Sequence, residues 1–182
     1  FSPIRDNLPD VDGLYLGGGY PELYAPALEK GSARRQIKEA SQDGMPIYGE
    51  CGGLMYLGEE LVMDDKRFRM AGALPGSTVM TGKLVALGYA RAEVVGYSPL
   101  AGMGRSILGH EFHYSRFECD RDARFAYSMS RGRGIYDGRD GLVEQSTLGA
   151  YLHAHFFSLS SEHFIEECQR YQRTSGTAEG RG

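Results

Sequence analysis

Met45-Pro46-Ile47-Tyr48-Gly49-Glu50-Cys51-Gly52-Gly53-Leu54-Met55-Tyr56-Leu57 joins two short apolar runs through three glycines, a glutamate and a single cysteine. The run at 45–48 predicts a strand, Gly49 to Gly53 a sharp turn, and Leu54 to Leu57 a helix. Strand, glycine turn and helix form one α/β unit. Glycine on both sides of Cys51 permits a strained turn that lifts the cysteine side chain above the sheet. The same turn sets the thiol at a helix N-terminus, where the dipole and free N–H groups favour thiolate. A buried structural cysteine needs none of these glycines, so a nucleophile is the expectation.

The preceding segment repeats the pattern. Val11 to Leu16 reads as a short buried strand that runs into Gly17-Gly18-Gly19. Backbone N–H groups in so unrestricted a loop can aim at a developing oxyanion, with the N–H of Gly52 as a second donor. Ala27 to Ala40 has helical texture, weakened by Gly31 and closed near Gly44. Beyond residue 61 helix periodicity fades. Strand-like runs follow at 83–89, 107–117, 125–129 and 142–151, with Asp137-Gly138 and Asp140-Gly141 as turn signals. A final helix carries Phe164, Ile165, Cys168 and Tyr171 on one face, with Ser160 or Ser161 as its cap. The small, polar tail from residue 173 is expected to be disordered.

The whole chain fits this local texture. Its 182 residues suggest one domain, and 41% hydrophobic with 24% charged residues is an ordinary globular balance. A net charge of −4 offers no electrostatic footprint for nucleic acid. No apolar run reaches the ~18–20 residues of a membrane span, and no signal peptide is evident at the start. Glycine is in excess, 26 residues against a usual ~7%. The glycines end apolar runs and do not form repeats, so they mark turns. Three widely spaced cysteines without a C-x-x-C pair argue against a disulfide framework and for a reducing cytoplasm.

A thiolate nucleophile needs a base, and five histidines are present: His110, His113, His153, His155 and His163. In Tyr151-Leu152-His153-Ala154-His155 the two histidines share one face of an extended chain, so either could serve. His163 reads as a surface residue of the last helix. Gly109-His110-Glu111-Phe112-His113-Tyr114-Ser115 is dense in polar side chains, with Glu111 and His113 facing opposite to His110. That strand either lines a polar pocket or is a solvated face. The histidines with Glu111 could in principle hold a divalent metal, but their spacing matches no H-E-x-x-H helix and leaves the cysteine turn unexplained. Gly76 to Leu84 is a near miss to a phosphate loop, with one residue too many between its glycines and Leu84 where Ser or Thr is needed.

Four stretches in order, Gly13 to Tyr24, Tyr48 to Leu57, Gly109 to Ser115 and Tyr151 to Phe156, resemble the cobyrinate/cobyric acid type of class I glutamine amidotransferase domain, as found in cobyrinic acid a,c-diamide synthases. The likeness covers residues 1–172. It implies an α/β, three-layer fold with a mostly parallel central sheet plus added β-strands. It also implies hydrolysis of glutamine, with Cys51 as nucleophile and His153 as its activating histidine. Gly18, Gly19 and Gly52 would hold the oxyanion, and Glu111, His113, Tyr114 and Ser115 would line the glutamine pocket. Class I domains most often place a glutamate two residues after the histidine; here that residue is His155, so a Cys51–His153 dyad is implied with no third member assigned. Such domains pass ammonia to an ATP- and Mg2+-dependent synthetase domain of the same polypeptide, which amidates a corrin. That domain is expected N-terminal to this chain, as are the first strand and helix of the amidotransferase domain itself. No cofactor or metal is implied for this domain. Nickel-sirohydrochlorin a,c-diamide synthase shares the domain plan. A cysteine hydrolase of related fold and a non-catalytic metal module are the alternatives from other classes.

Overall fold

The computed structural model describes residues 1–159 and 161–179, with side chains described for 1–159 and 162–175. The chain begins with β1 (Leu14–Leu16), a 3₁₀ turn at Pro21–Tyr24, α1 (Ala25–Lys30), α2 (Ala33–Gln42), β2 (Ile47–Glu50) and α3 (Gly52–Leu57). A strand-rich half follows: β3 (Glu60–Met63), β4 (Lys66–Arg69), β5 (Ser77–Met80), β6 (Ala86–Val94), β7 (Ser106–His113), β8 (Ser115–Glu118) and β9 (Phe125–Arg131). After β10 (Arg139–Glu144), β11 (Thr147–Ala150) and the two-residue β12 (His153–Ala154), α4 (Ser161–Glu179) closes the fold.

Eight strands make the large sheet in the order β1-β2-β11-β10-β9-β6-β7-β12, and β4-β3-β5-β8 make a smaller one. Parallel pairing in the large sheet is confined to β1 with β2 and β2 with β11. The remaining pairs are antiparallel. The expectation of a mostly parallel sheet therefore narrows to one end, and the sheet is mixed. Connection length accounts for part of this: β9, β10 and β11 follow one another through connections too short for the crossovers that parallel strands require.

Strand alternation divides the core into two layers. Ile47, Leu142 and Tyr151 face a cluster shared with α1, α2, α3 and the small sheet. Their neighbours Tyr48, Val143 and Leu152 face a second cluster that includes Ile107 and Tyr127 and against which Phe164 of α4 packs. This is the expected layering of helix and sheet about a central sheet. Among the described residues no helix is long and apolar enough to cross a membrane.

Three local expectations change. The helical stretch from residue 27 is two helices broken at Gly31, whose Cβ would meet the Pro3 carbonyl oxygen at 2.6 Å. Asp140-Gly141 is not a turn: Asp140 is fully buried inside β10 and Gly141 adopts φ +66 within the strand. The expected disordered tail is helical as far as Glu179, with Thr174 and Ser175 hydroxyls donating to the Tyr171 carbonyl. Residues 180–182 and the cap candidate Ser160 lie outside the described residues. The near-miss phosphate loop is an ordinary connection around β5.

Candidate active site

β2 ends at Glu50 and α3 begins at Gly52, so Cys51 alone makes the change of direction. Its backbone lies at φ 45 and ψ −97, a region that costs a non-glycine residue ~1–3 kcal/mol and that surrounding contacts must impose. The contacts are between backbones. A Cβ on Gly53 would collide with the Leu16 carbonyl oxygen at the end of β1, and one on Gly52 would fall 2.8 Å from the Gly19 nitrogen. The Cys51 N–H donates to the Ala150 carbonyl at 2.7 Å, which ties the turn to β11. Glycine is therefore required here by close approach, as the strand-turn-helix pattern predicts.

The thiol is buried and donates to the Phe112 carbonyl oxygen at 3.7 Å. Burial pushes its pKa up to about 12. The Gly52 N–H opposes that shift, while Glu22, Asp140 and Glu50 add to it. The expectation that the helix N-terminus favours thiolate is thus overturned for the free domain: desolvation outweighs the one backbone donor. Cys51 rests as a thiol and needs a base to ionise.

His153 is brought to this turn from the far end of the sheet. β12 pairs with β7 in a register that sets His153 opposite His110 and Ala154 opposite Gly109. The two imidazoles stack at 4.7 Å and 8°, and His155 lies tilted 5.8 Å from His110. The His153 ring also lies over Gly18, where a Cβ would strike its Cε1. Its Nδ1 is 3.8 Å from the Glu50 carboxylate. Burial holds the His153 pKa below the usual histidine value against the upward pull of Glu50, with His110 lowering it further. Between His153 and His155, the spacing left the base open; His153 is the one that reaches the residue next to Cys51.

Cys51 opens into a narrow cavity of about 20 Å³, lined also by Gly19, Tyr20, Glu22, Met55, Met80, Phe112, His113, Tyr114 and Ser115. Three of the four expected pocket residues of the 109–115 strand therefore reach it. His113 stacks on Tyr151 at 3.7 Å, and its Nδ1 pairs with the Ser115 carbonyl at 2.9 Å. The Ser115 hydroxyl pairs with the Tyr151 hydroxyl at 2.9 Å. Glu111 does not line this cavity. Both of its oxygens accept backbone N–H groups, from Arg133 and Gly134 at 2.7 Å each, so its acceptors are spent on fastening that loop. His163, on α4, faces the Ser98 carbonyl at 3.3 Å. Among the described residues no three His, Cys, Asp or Glu side chains are grouped to hold a metal ion.

Two buried carboxylates carry structure that the sequence reasoning did not assign. Asp140 accepts the Tyr151 and Leu152 N–H groups at 3.1 and 2.9 Å, gripping the chain just before His153. Burial raises its pKa to about 7 despite those donors. Glu50 is the other. The two-residue period of β2 puts Tyr48 and Glu50 on one face, a signal that could have paired them.

The comparisons with known proteins agree with this geometry. Residues 1–160 match the CobB/CobQ-like glutamine amidotransferase domain. Cobyrinate a,c-diamide synthase of Archaeoglobus fulgidus is 47% identical over 152 residues, 83% of this chain and 33% of that protein. The enzyme of the same name from Methanosarcina barkeri is 47% identical over 171 residues, 85% and 34% of the two chains. That of Halobacterium salinarum is 44% identical over 168 residues, 91% and 38%. The chain thus spans about a third of the length of these relatives. Among solved structures, PurLQS from Thermotoga maritima superposes with a TM-score of 0.62 at 18% identity, covering 92% of this chain and 83% of that one. A glutamine amidotransferase crystal structure gives 0.60 at 15% identity, covering 87% and 79%. Those two share the fold. The turn at Cys51, the sheet that presents His153 and the match over residues 1–160 together show that the chain belongs to the CobB/CobQ-like glutamine amidotransferase domain family.

Proposed function

We propose that this chain is the glutaminase part of a cobyrinate a,c-diamide synthase, with Cys51 as nucleophile and His153 as its acid and base. The observation that carries this reading is the buried cysteine at positive φ between β2 and α3, on a turn whose neighbouring glutamate pairs with His153. His153 takes the thiol proton and Cys51 Sγ attacks the side-chain amide carbon of glutamine. The oxyanion sits against the N–H groups of Gly52 and of Gly18 or Gly19. Return of the proton from His153 lets ammonia leave, and a glutamyl thioester remains. Water, deprotonated by the same imidazole, then attacks the thioester and releases glutamate and the free thiol. His113, Tyr114 and Ser115 contact the glutamine.

Ammonia passes to the synthetase partner of the same protein, which uses ATP and Mg2+ to activate the a and c carboxylates of the corrin. ATP is assigned to that partner, and Gly76 to Leu84 here forms a strand and its connections. Three cysteines, all unpaired, suit a reducing cytoplasm. The test is Cys51→Ala in the intact protein. Glutamine-dependent amidation falls by ~10⁴-fold or more, while amidation from added ammonia continues. Loss of both in a folded variant, or retention of both, contradicts the assignment.

A further inference from the structure

A cysteine with its pKa pushed up to about 12 relies heavily on its base, so whatever orients His153 matters. The residue two positions after it, His155, is no carboxylate. Glu50 is one, and its contacts converge on His153 and the residues that flank it. Oε1 accepts the Tyr48 hydroxyl at 2.7 Å and the Ala154 N–H at 3.0 Å, the amide directly after His153. Oε2 accepts the Tyr15 hydroxyl at 2.8 Å and faces His153 Nδ1 at 3.8 Å. Glu50 itself is 4% exposed.

These donors define a rigid cradle. Tyr15 and Tyr48 are register partners on β1 and β2, and their rings stack at 5.4 Å. Both phenols are held well above the usual tyrosine pKa, by burial first and by Glu50 as well, so they remain donors. The carboxylate cannot turn away from His153 without breaking three hydrogen bonds. At 3.8 Å the contact to Nδ1 is longer than a hydrogen bond and acts through charge. A negative charge at that nitrogen favours the tautomer with its proton on Nδ1, which leaves Nε2 free to take a proton.

We infer that Glu50 is the third member of the catalytic group, a positioning residue that supplies from before the nucleophile what related domains supply after the histidine. The inference rests on the proposed roles of Cys51 and His153. Its sequence neighbour Cys51 and its spatial neighbour His153 are then set by one residue. The titratable groups that bear on the His153 ring are Glu50 from β2 at 3.8 Å and His110 stacked on it from β7, with His155 beyond His110 and a mutual repulsion with His113 on the other face of β7. Glu50 is the anion among them, so its removal has one sign: the imidazole becomes harder to protonate.

The experiment compares Glu50→Gln, Glu50→Asp and Cys51→Ala in the intact protein. Glutamate release is followed across pH, and the His153 imidazole is titrated by NMR. Glu50→Gln is expected to lower kcat by on the order of 10²-fold, with KM for glutamine within about threefold and ammonia-dependent amidation intact. His153 titrates at lower pH in that variant, and Glu50→Asp, which keeps the charge, recovers part of both changes. A kcat within about threefold of the parent overturns the inference. So does a fall in kcat with the His153 titration unmoved, which marks a merely structural role. If Cys51→Ala still releases glutamate, the underlying nucleophile assignment fails instead.

Discussion

The parallel end of the large sheet, β1-β2-β11, and its antiparallel end, β6-β7-β12, both deliver residues to the Cys51 turn but are held by different physics. At the parallel end backbones touch: Gly53 lies against Leu16 and Gly52 against Gly19, with no side chain between. At the antiparallel end a two-residue strand carries His153; Gly109 lies against its backbone there too, but polar side chains hold the chain on either side of it. Asp140 grips the two amides before His153, Glu50 the amide after it, and Glu111 the loop at 133–134. Close approach is absolute, whereas carboxylate clamps are adjustable and bring together residues as far apart as 50 and 154. The nucleophile is thereby fixed in a strained geometry, and its histidine is steered.

Breaking the two ends separately should expose that difference. At Gly53 a methyl group meets the Leu16 carbonyl inside the core, and at Gly109 one meets the His153 carbonyl across β7 and β12. Gly53→Ala is expected to cost about 3 kcal/mol or more in urea unfolding, because both backbones it separates belong to packed elements. Gly109→Ala is expected to cost about 1–2 kcal/mol, since β12 has only two paired residues to displace, yet to depress glutamate release by tenfold or more as His153 shifts. Equal losses of stability would mean that the two ends are equally rigid.

A smaller effect sharpens the clamp side. Asp140 has a folded-state pKa of about 7, above its unfolded value near 4, so the folded protein holds the extra proton between those limits. Stability from this group is therefore fully present below pH ~4 and declines as pH rises toward 7. Asp140→Asn removes that slope. The difference in urea midpoint between parent and variant should move in the variant's favour from pH 5 to pH 7.5; a constant difference would show that Asp140 is ionised throughout.

The same contrast explains what was legible in the sequence. β1, β2, α3 and the turn at Cys51 follow from short apolar runs ending in glycine, because the steric demand at each strand end leaves glycines clustered in one short stretch of sequence. The clamps do not. The resemblance implies a pocket role for Glu111, but only the fold brings Arg133 and Gly134 to its oxygens. Asp140-Gly141 has the composition of a turn, and nothing local reveals that the aspartate will be buried under Tyr151 and Leu152. The α/β layering and the added strands are legible, whereas the antiparallel pairing of those strands within the large sheet is a tertiary property. The raised thiol pKa likewise comes from burial that Gly52 alone cannot offset.

The most direct test of the central claim is covalent: incubation of the intact protein with the glutamine analogue diazo-oxo-norleucine, followed by mass spectrometry of the digested chain. One stoichiometric adduct is expected, on Cys51, suppressed by excess glutamine. An adduct on Cys119 or Cys168, or none at all in protein that hydrolyses glutamine, would contradict it.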